Sequence, residues 1–149
     1  MSVDINSLLP NIAVKLDVQA KDWRSVIRLA GDALREAGFT TNVYTDEMIN
    51  TVESMGPYVV IAPGLALAHS RPSKAVLKSG LSWIRLSSPV KFGNAANDPV
   101  SLVIGLAGHD DNEHVGVMST IAAALTKPAK LDALSKADSA EKIRAILQS

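Results

Sequence analysis

Residues 100–125 read VSLVIGLAGHDDNEHVGVMSTIAAAL, and the change of period inside this stretch sets the class of the fold. Val100 to Ala107 is apolar with little interruption, the pattern of a strand buried on both faces. Beyond Asp110 the apolar positions recur at helical spacing, with His114, Val117, Met118, Ile121 and Leu125 on one face. Asp110 and Glu113 have the spacing of a capping box, in which Asp110 accepts from the free amides of the first turn and Glu113 reaches back. His114 then falls in the first turn, on the inward side of the helix, beside free backbone N–H groups and the positive end of the helix dipole. That environment favours an anion. His109 precedes the cap and belongs to the loop.

The alternation of periods continues on either side. IAVKLDV (Ile12 to Val18) reads as a strand, and DWRSVIRLAGDALREAGF as a helix opened by Asp22 and closed by Gly38, with Val26, Leu29, Ala30, Ala33, Leu34 and Ala37 at helical spacing. A second helix is expected from a Thr45 cap through Met48, Ile49, Val52 and Met55 to Gly56 and Pro57. YVVIAP and LALAH are short strands split by Pro63-Gly64, and GLSWIRL is a further one. A last helix covers Ala140 to Gln148 after a break at Pro128. No internal repeat, low-complexity segment or long linker divides the chain, so a single α/β layered domain over residues 1–149 is expected.

A chain of 149 residues with 47% hydrophobic content builds one complete core. Fifteen basic residues balance fifteen acidic ones without a long run of either sign. Electrostatics therefore give no reason to invoke nucleic acid or an anionic membrane, and small molecules and proteins are the expected partners. The absence of cysteine excludes disulfides, a thiolate nucleophile and a zinc site built on sulfur. The opening MSVDINSLLPNIAVKLDV lacks the pattern of a signal peptide, and no segment stays apolar for about 18 residues. A cytoplasmic protein with no direct membrane insertion is expected.

Three histidines are the whole imidazole supply. His69 ends the run PGLALAHSRP (Pro63 to Pro72), where its ring either packs silently or does chemistry, and those ten residues leave both open. His109 reads most simply as an exposed loop side chain. HDDNEH gathers histidines and carboxylates, but it lacks HExxH spacing, and side chains five residues apart on a regular helix point about 140° from each other. No metal and no other cofactor is expected. Gly64, Gly80 and Gly93 read as turns rather than a phosphate loop. In open α/β sheets ligand sites gather where strands end and helices begin, so the two histidine-bearing strand ends are expected to converge on one site.

GPYVVIAPGLALAHSRP (Gly56 to Pro72) resembles the active-site segment of the IIA components of the phosphoenolpyruvate-dependent sugar phosphotransferase system, in the mannitol and fructose class that includes the nitrogen-related IIA proteins. The Gly56-Pro57-Tyr58 start, the Ala62-Pro63-Gly64 turn, Arg71-Pro72 and the later PVKFGNAANDPVSLVIGLAG look most like the L-ascorbate-type members. The likeness is strong from Thr45 to Leu125 and looser outside.

The resemblance implies a mixed, mostly parallel sheet flanked by helices and a phosphotransferase component that carries a phosphoryl group. The residue matching His69 takes that group from phospho-HPr as a tele-phosphohistidine and passes it to a IIB component, with a membrane IIC component moving the sugar, here L-ascorbate. The family's second histidine falls on His114, which is expected to support the phosphoryl group. Neutral imidazole attacks without a separate base, and the site needs mainly to align the reactants and stabilise charge on the equatorial oxygens. Ser70, Arg71 and the amides of the Asp110 helix start offer this, and Gly64, which turns the chain ahead of His69, is expected with Ser70 and Arg71 to bind the phosphate. The mannitol branch carries an arginine in the helix before the active-site strand, whereas no lysine or arginine stands between Arg35 and Arg71 here; Arg71 is expected to take its place. Leu65, Leu67 and Ala68 read either as part of a docking surface or as core strand residues. The alternative function is a regulatory IIA-like protein of the nitrogen type, whose His69 phosphorylation state controls a partner. A homodimer and the identity of the sugar stay open.

Overall fold

Two helical layers enclose one sheet because its strands carry apolar residues on both faces. The structure, a computed structural model, describes residues 4–149. In chain order its elements are α1 (Ile5–Leu8), a 3-10 turn (Asn11–Ala13), β1 (Val14–Val18), α2 (Trp23–Glu36), α3 (Asn42–Met55), β2 (Val60–Ala62), β3 (Leu65–His69), β4 (Gly80–Val90), β5 (Val100–Ala107), α4 (Asp111–Leu125), α5 (Pro128–Lys136) and α6 (Ala140–Gln148). The strands lie in the order β1-β4-β5-β3-β2. The sheet is mixed: β1–β4 and β3–β5 pair in parallel, β2–β3 and β4–β5 antiparallel.

Strand alternation sorts the core into two clusters. Leu65 and Leu67 of β3 and Leu102, Ile104 and Leu106 of β5 face α1, α4, α5 and α6, packing with Trp83, Val117, Ile121, Leu134 and Ile143. Ala66, Ala68, Val103 and Ala107 face the other way, against Val26, Ala30 and Leu34 of α2 and Tyr44, Met48 and Val52 of α3. Small side chains on that second face let α2 approach closely enough for Ser82 Oγ to donate to the Ala30 carbonyl at 2.8 Å. Each large aliphatic side chain so buried contributes about 1.5–3 kcal/mol before chain entropy is counted against it.

Three boundaries differ from expectation. α3 starts at Asn42 behind Thr41 rather than at a Thr45 cap; Tyr44 and Thr45, 0% and 3% exposed, already lie on the buried face one turn ahead of Met48 and Ile49. β1 begins at Val14, since residues 11–13 wind as a 3-10 turn that leaves Ile12 exposed. Pro128 does more than break the chain. It sits in the first turn of α5, where a missing N–H costs nothing, and opens a helix that its neighbours' composition did not announce.

His69 pairs with Leu106 in the parallel β3–β5 ladder. Both strands therefore end at one edge of the sheet, and the chain leaving β5 enters α4 almost at once. The carboxyl edge of parallel strands is the usual place for a ligand site in such sheets.

Candidate active site

At that edge the His69 and His114 rings meet, with centroids 5.6 Å apart and planes inclined at 52°. The two histidine-bearing strand ends converge. His69 is half-buried at the tip of β3, and its Nδ1 lies 2.8 Å from the carbonyl oxygen of Leu67. A carbonyl only accepts, so Nδ1 carries a proton, and in the neutral ring Nε2 is the nitrogen that keeps its lone pair. Tyr58 stands edge-on to the ring, with centroids 5.5 Å apart and an interplanar angle of 85°, and limits its rotation.

His114 is held from below by a close backbone approach. A Cβ at Gly108 would lie 2.5 Å from both Cα and Cβ of His114, so the first turn of α4 packs this tightly on the end of β5 only over a glycine. Asp110 caps α4 by accepting from the Glu113 amide at 2.8 Å, as expected. The other half of the capping box is replaced: the Glu113 carboxylate accepts from Ser79 Oγ at 2.9 Å, and Ser79 Oγ accepts from the His109 amide at 2.9 Å. His114 Nδ1 is buried with no partner among the described residues. Burial pushes the imidazole below its ordinary pKa and the nearby His69 adds to this, with Asp111 opposing. The ring is neutral at pH 7, and since an unpaired buried N–H is the costlier arrangement, its proton belongs on Nε2.

Around the two imidazoles opens a cleft of about 490 Å³, lined also by Thr51, Met55, Tyr58, Ser70, Arg71 and Asp111. Arg71 is exposed, is the cleft's only arginine or lysine, and takes part in none of the ion pairs among the described residues. Ser70 donates its N–H to Tyr44 Oη at 3.0 Å, and its Oγ lies 3.2 Å from Thr51 Oγ1. Thr51 gives its own proton to the Glu47 carbonyl at 2.8 Å, which makes Ser70 the donor to Thr51.

One expectation about placement fails. Gly64 does make the sharp turn, at φ 75°, and exchanges backbone hydrogen bonds with Asn97 and Ser101. That turn precedes β3, at the opposite end of the strand from His69, so Gly64 builds the scaffold and touches nothing bound in the cleft. Of the two readings open for Leu65, Leu67 and Ala68 the core one holds: they are 2%, 3% and 0% exposed and offer no docking surface. His109 is an exposed loop residue, its Nδ1 3.8 Å from Glu113 Oε2. His109, Asp110 and Glu113 bring ligand atoms within 4.8 Å of one another, away from the cleft and without His114.

Residues 7–149 match the family described as Phosphoenolpyruvate-dependent sugar phosphotransferase system, EIIA 2. The chain belongs to this EIIA family. Among curated EIIA relatives, the Ascorbate-specific PTS system EIIA component of Escherichia coli K12 is 37% identical over 118 residues, covering 78% of this chain and 77% of its own. Among solved EIIA structures, the mannitol-specific cryptic phosphotransferase enzyme IIA CmtB of Escherichia coli aligns with a TM-score of 0.85 at 27% identity, over 97% of this chain and 98% of that one. The nitrogen regulatory protein IIA-Ntr of Neisseria meningitidis aligns with a TM-score of 0.81 at 28% identity, over 96% and 98%. No helix among the described residues is long and apolar enough to cross a membrane.

Not every stretch that carries the EIIA likeness lies in the cleft. In NDPV the Asp98 carboxylate accepts from the amides of Phe92, Gly93 and Asn94 at 2.8–2.9 Å, which fixes the loop before β5. Conversely, Tyr58, Thr51 and Asp111 line the cleft although their sequence neighbourhoods suggested only the start of a strand, a helix face and a cap. No local signal singled out Thr51, one polar residue among several on α3.

Proposed function

We propose that this EIIA chain works as one cytoplasmic domain that carries a phosphoryl group, receiving it from phospho-HPr on Nε2 of His69 and passing it to a IIB component. The observation that carries this reading is the hydrogen bond from Nδ1–H of His69 to the Leu67 carbonyl at 2.8 Å. In the neutral ring it leaves Nε2 as the nucleophile in an open cleft, so no proton has to move before attack. The nitrogen–phosphorus bond in HPr breaks as the Nε2–phosphorus bond forms, and the freed electron pair returns to the imidazole of HPr. Nδ1–H stays on Leu67 throughout, and the same geometry serves the onward step in reverse.

Charge on the three equatorial oxygens has three candidate partners. Nε2–H of neutral His114 donates without adding a positive charge, the Ser70 hydroxyl can turn from Thr51, and Arg71 supplies the cation. In the cleft lining, Met55 (69% exposed) and Tyr58 (39%) give the apolar surface on which HPr and IIB would dock in turn, in place of the buried leucines of β3.

The 37% identical ascorbate-specific relative favours L-ascorbate uptake, with a membrane IIC component beyond IIB. The nitrogen regulatory neighbour keeps a second reading in view, in which phosphorylated His69 controls a partner protein. Transfer to purified ascorbate-type IIB decides between them. On the transport reading, label moves from the phosphorylated chain to the IIB component within seconds of mixing; label that stays on His69 favours regulation.

A further inference from the structure

Tyr44 lies in the core, 0% exposed, yet its hydroxyl stands where β3 leaves the sheet. It accepts the Ser70 N–H at 3.0 Å and lies 2.8 Å from the carbonyl oxygen of Leu106. The Ser70 carbonyl is a second acceptor, at 3.1 Å, but a phenol has one proton, and the shorter contact takes it. Ser70 directly follows His69, and Leu106 is the residue paired with His69 across β3–β5. The phenol thus acts as an extra rung at the end of the parallel ladder, at the point where the chain begins to carry function.

Two further groups on the same face of α3 hold the same loop. Glu47, one turn along from Tyr44, accepts from Ser73 Oγ at 2.6 Å, and Thr51, another turn on, meets Ser70 Oγ. Ser73 Oγ in turn accepts from the Ala75 amide at 3.1 Å. The segment from Ser70 to Ser73 is pinned at both ends, with Arg71 and Pro72 between the pins. We propose that Tyr44 is a positioning residue of the His69 site: its hydroxyl locks the ends of β3 and β5 together and so fixes the His69 imidazole and the Ser70–Ser73 loop in transfer geometry. This rests on the carrier reading for its functional consequence, though not for its structural one.

Burial of the phenol alone does not require this arrangement. An apolar ring of the same shape fills the same space, and the hydroxyl matters only through the two strand ends it joins. Tyr44→Phe therefore separates filling from positioning. The expected result is a folded protein in which the ring nitrogens of unphosphorylated His69, read by 15N chemical shifts, no longer report a single Nδ1–H tautomer. Transfer from phospho-HPr at saturation, per folded molecule, falls roughly ten- to hundred-fold with little change in KM, the size expected when a reacting group is misplaced by about an ångström. Unchanged nitrogen shifts together with an unchanged transfer rate overturn the proposal. The tautomer readout needs no phosphoryl donor, so it stands even if wild-type protein takes no phosphate, a result that would strike only the carrier reading. Should Tyr44→Phe not fold, amide exchange in the wild type decides. The Ser70 amide is expected to exchange as slowly as the central amides of β3, and exchange as fast as that of exposed Arg71 overturns the proposal.

Discussion

Arg71 stands in the cleft with no counter-ion among the described residues, on a loop whose backbone is held by the serines on either side. A free guanidinium on a fixed backbone is suited to meet an anion that comes and goes. A hydrogen bond to a charged group contributes about 1.5–3 kcal/mol, so Arg71→Ala should slow phosphorylation by phospho-HPr roughly ten- to hundred-fold. Its thermal midpoint should not move. An unchanged rate would return the question of the missing family arginine to the start. His114 makes a second residue-level prediction through its lowered pKa, caused first by burial and then by His69. Because the folded ring resists protonation, the unfolded chain gains the proton first as pH falls below the ordinary histidine value of about 6.5. The associated stability is complete above that pH and is lost below it. The drop in Tm on going from about pH 7 to about pH 5 should be shallower in His114→Gln than in wild type, and equal slopes would contradict the burial account. Phosphorylation of His69 places negative charge beside the ring and should raise the His114 pKa, measurable by NMR titration.

At the scale of elements, the β5–α4 junction controls where His114 stands. Gly108→Ala introduces a Cβ 2.5 Å from Cα and Cβ of His114, and backbone rather than a flexible tip must give way. Overpacking of this kind costs about 1–3 kcal/mol. A lower urea midpoint and a slower phosphoryl transfer should appear together, and wild-type values for both would show that α4 is not seated as described. This junction was legible in the sequence because two independent signals coincide there, the Asp110 cap and the switch from continuous to helical apolar spacing. The start of α3 was not. Thr41 and Thr45 are equally good capping residues in sequence, and only the burial of Tyr44 and Thr45 shows that the second belongs to the core. Glu113 likewise has the right spacing to close a capping box, but Ser79, distant in sequence, offers a better partner. Tertiary competition of that kind leaves no local trace.

At the scale of the whole molecule, the order β1-β4-β5-β3-β2 is what makes β3 and β5 parallel neighbours and brings His69 to His114 across 45 residues of chain. Apolar periodicity indicated strands and layers but carried no information on strand order; convergence followed from the general placement of ligand sites in α/β sheets and from the family likeness. The choice left open over Leu65, Leu67 and Ala68 has the same root. Four consecutive apolar residues look identical whether one face meets solvent or both meet helices, and here both are covered. Gly64 was misplaced because a turn before a strand and a site after it are close in sequence, while the strand's length keeps them apart in space. The central claim is that Nε2 of His69 accepts the phosphoryl group. Incubation with labelled phosphoenolpyruvate, enzyme I and HPr tests it most directly: the account predicts one acid-labile, base-stable phosphate on the wild-type chain and none on His69→Gln, whereas an unlabelled wild type, or label that persists in His69→Gln, would contradict it.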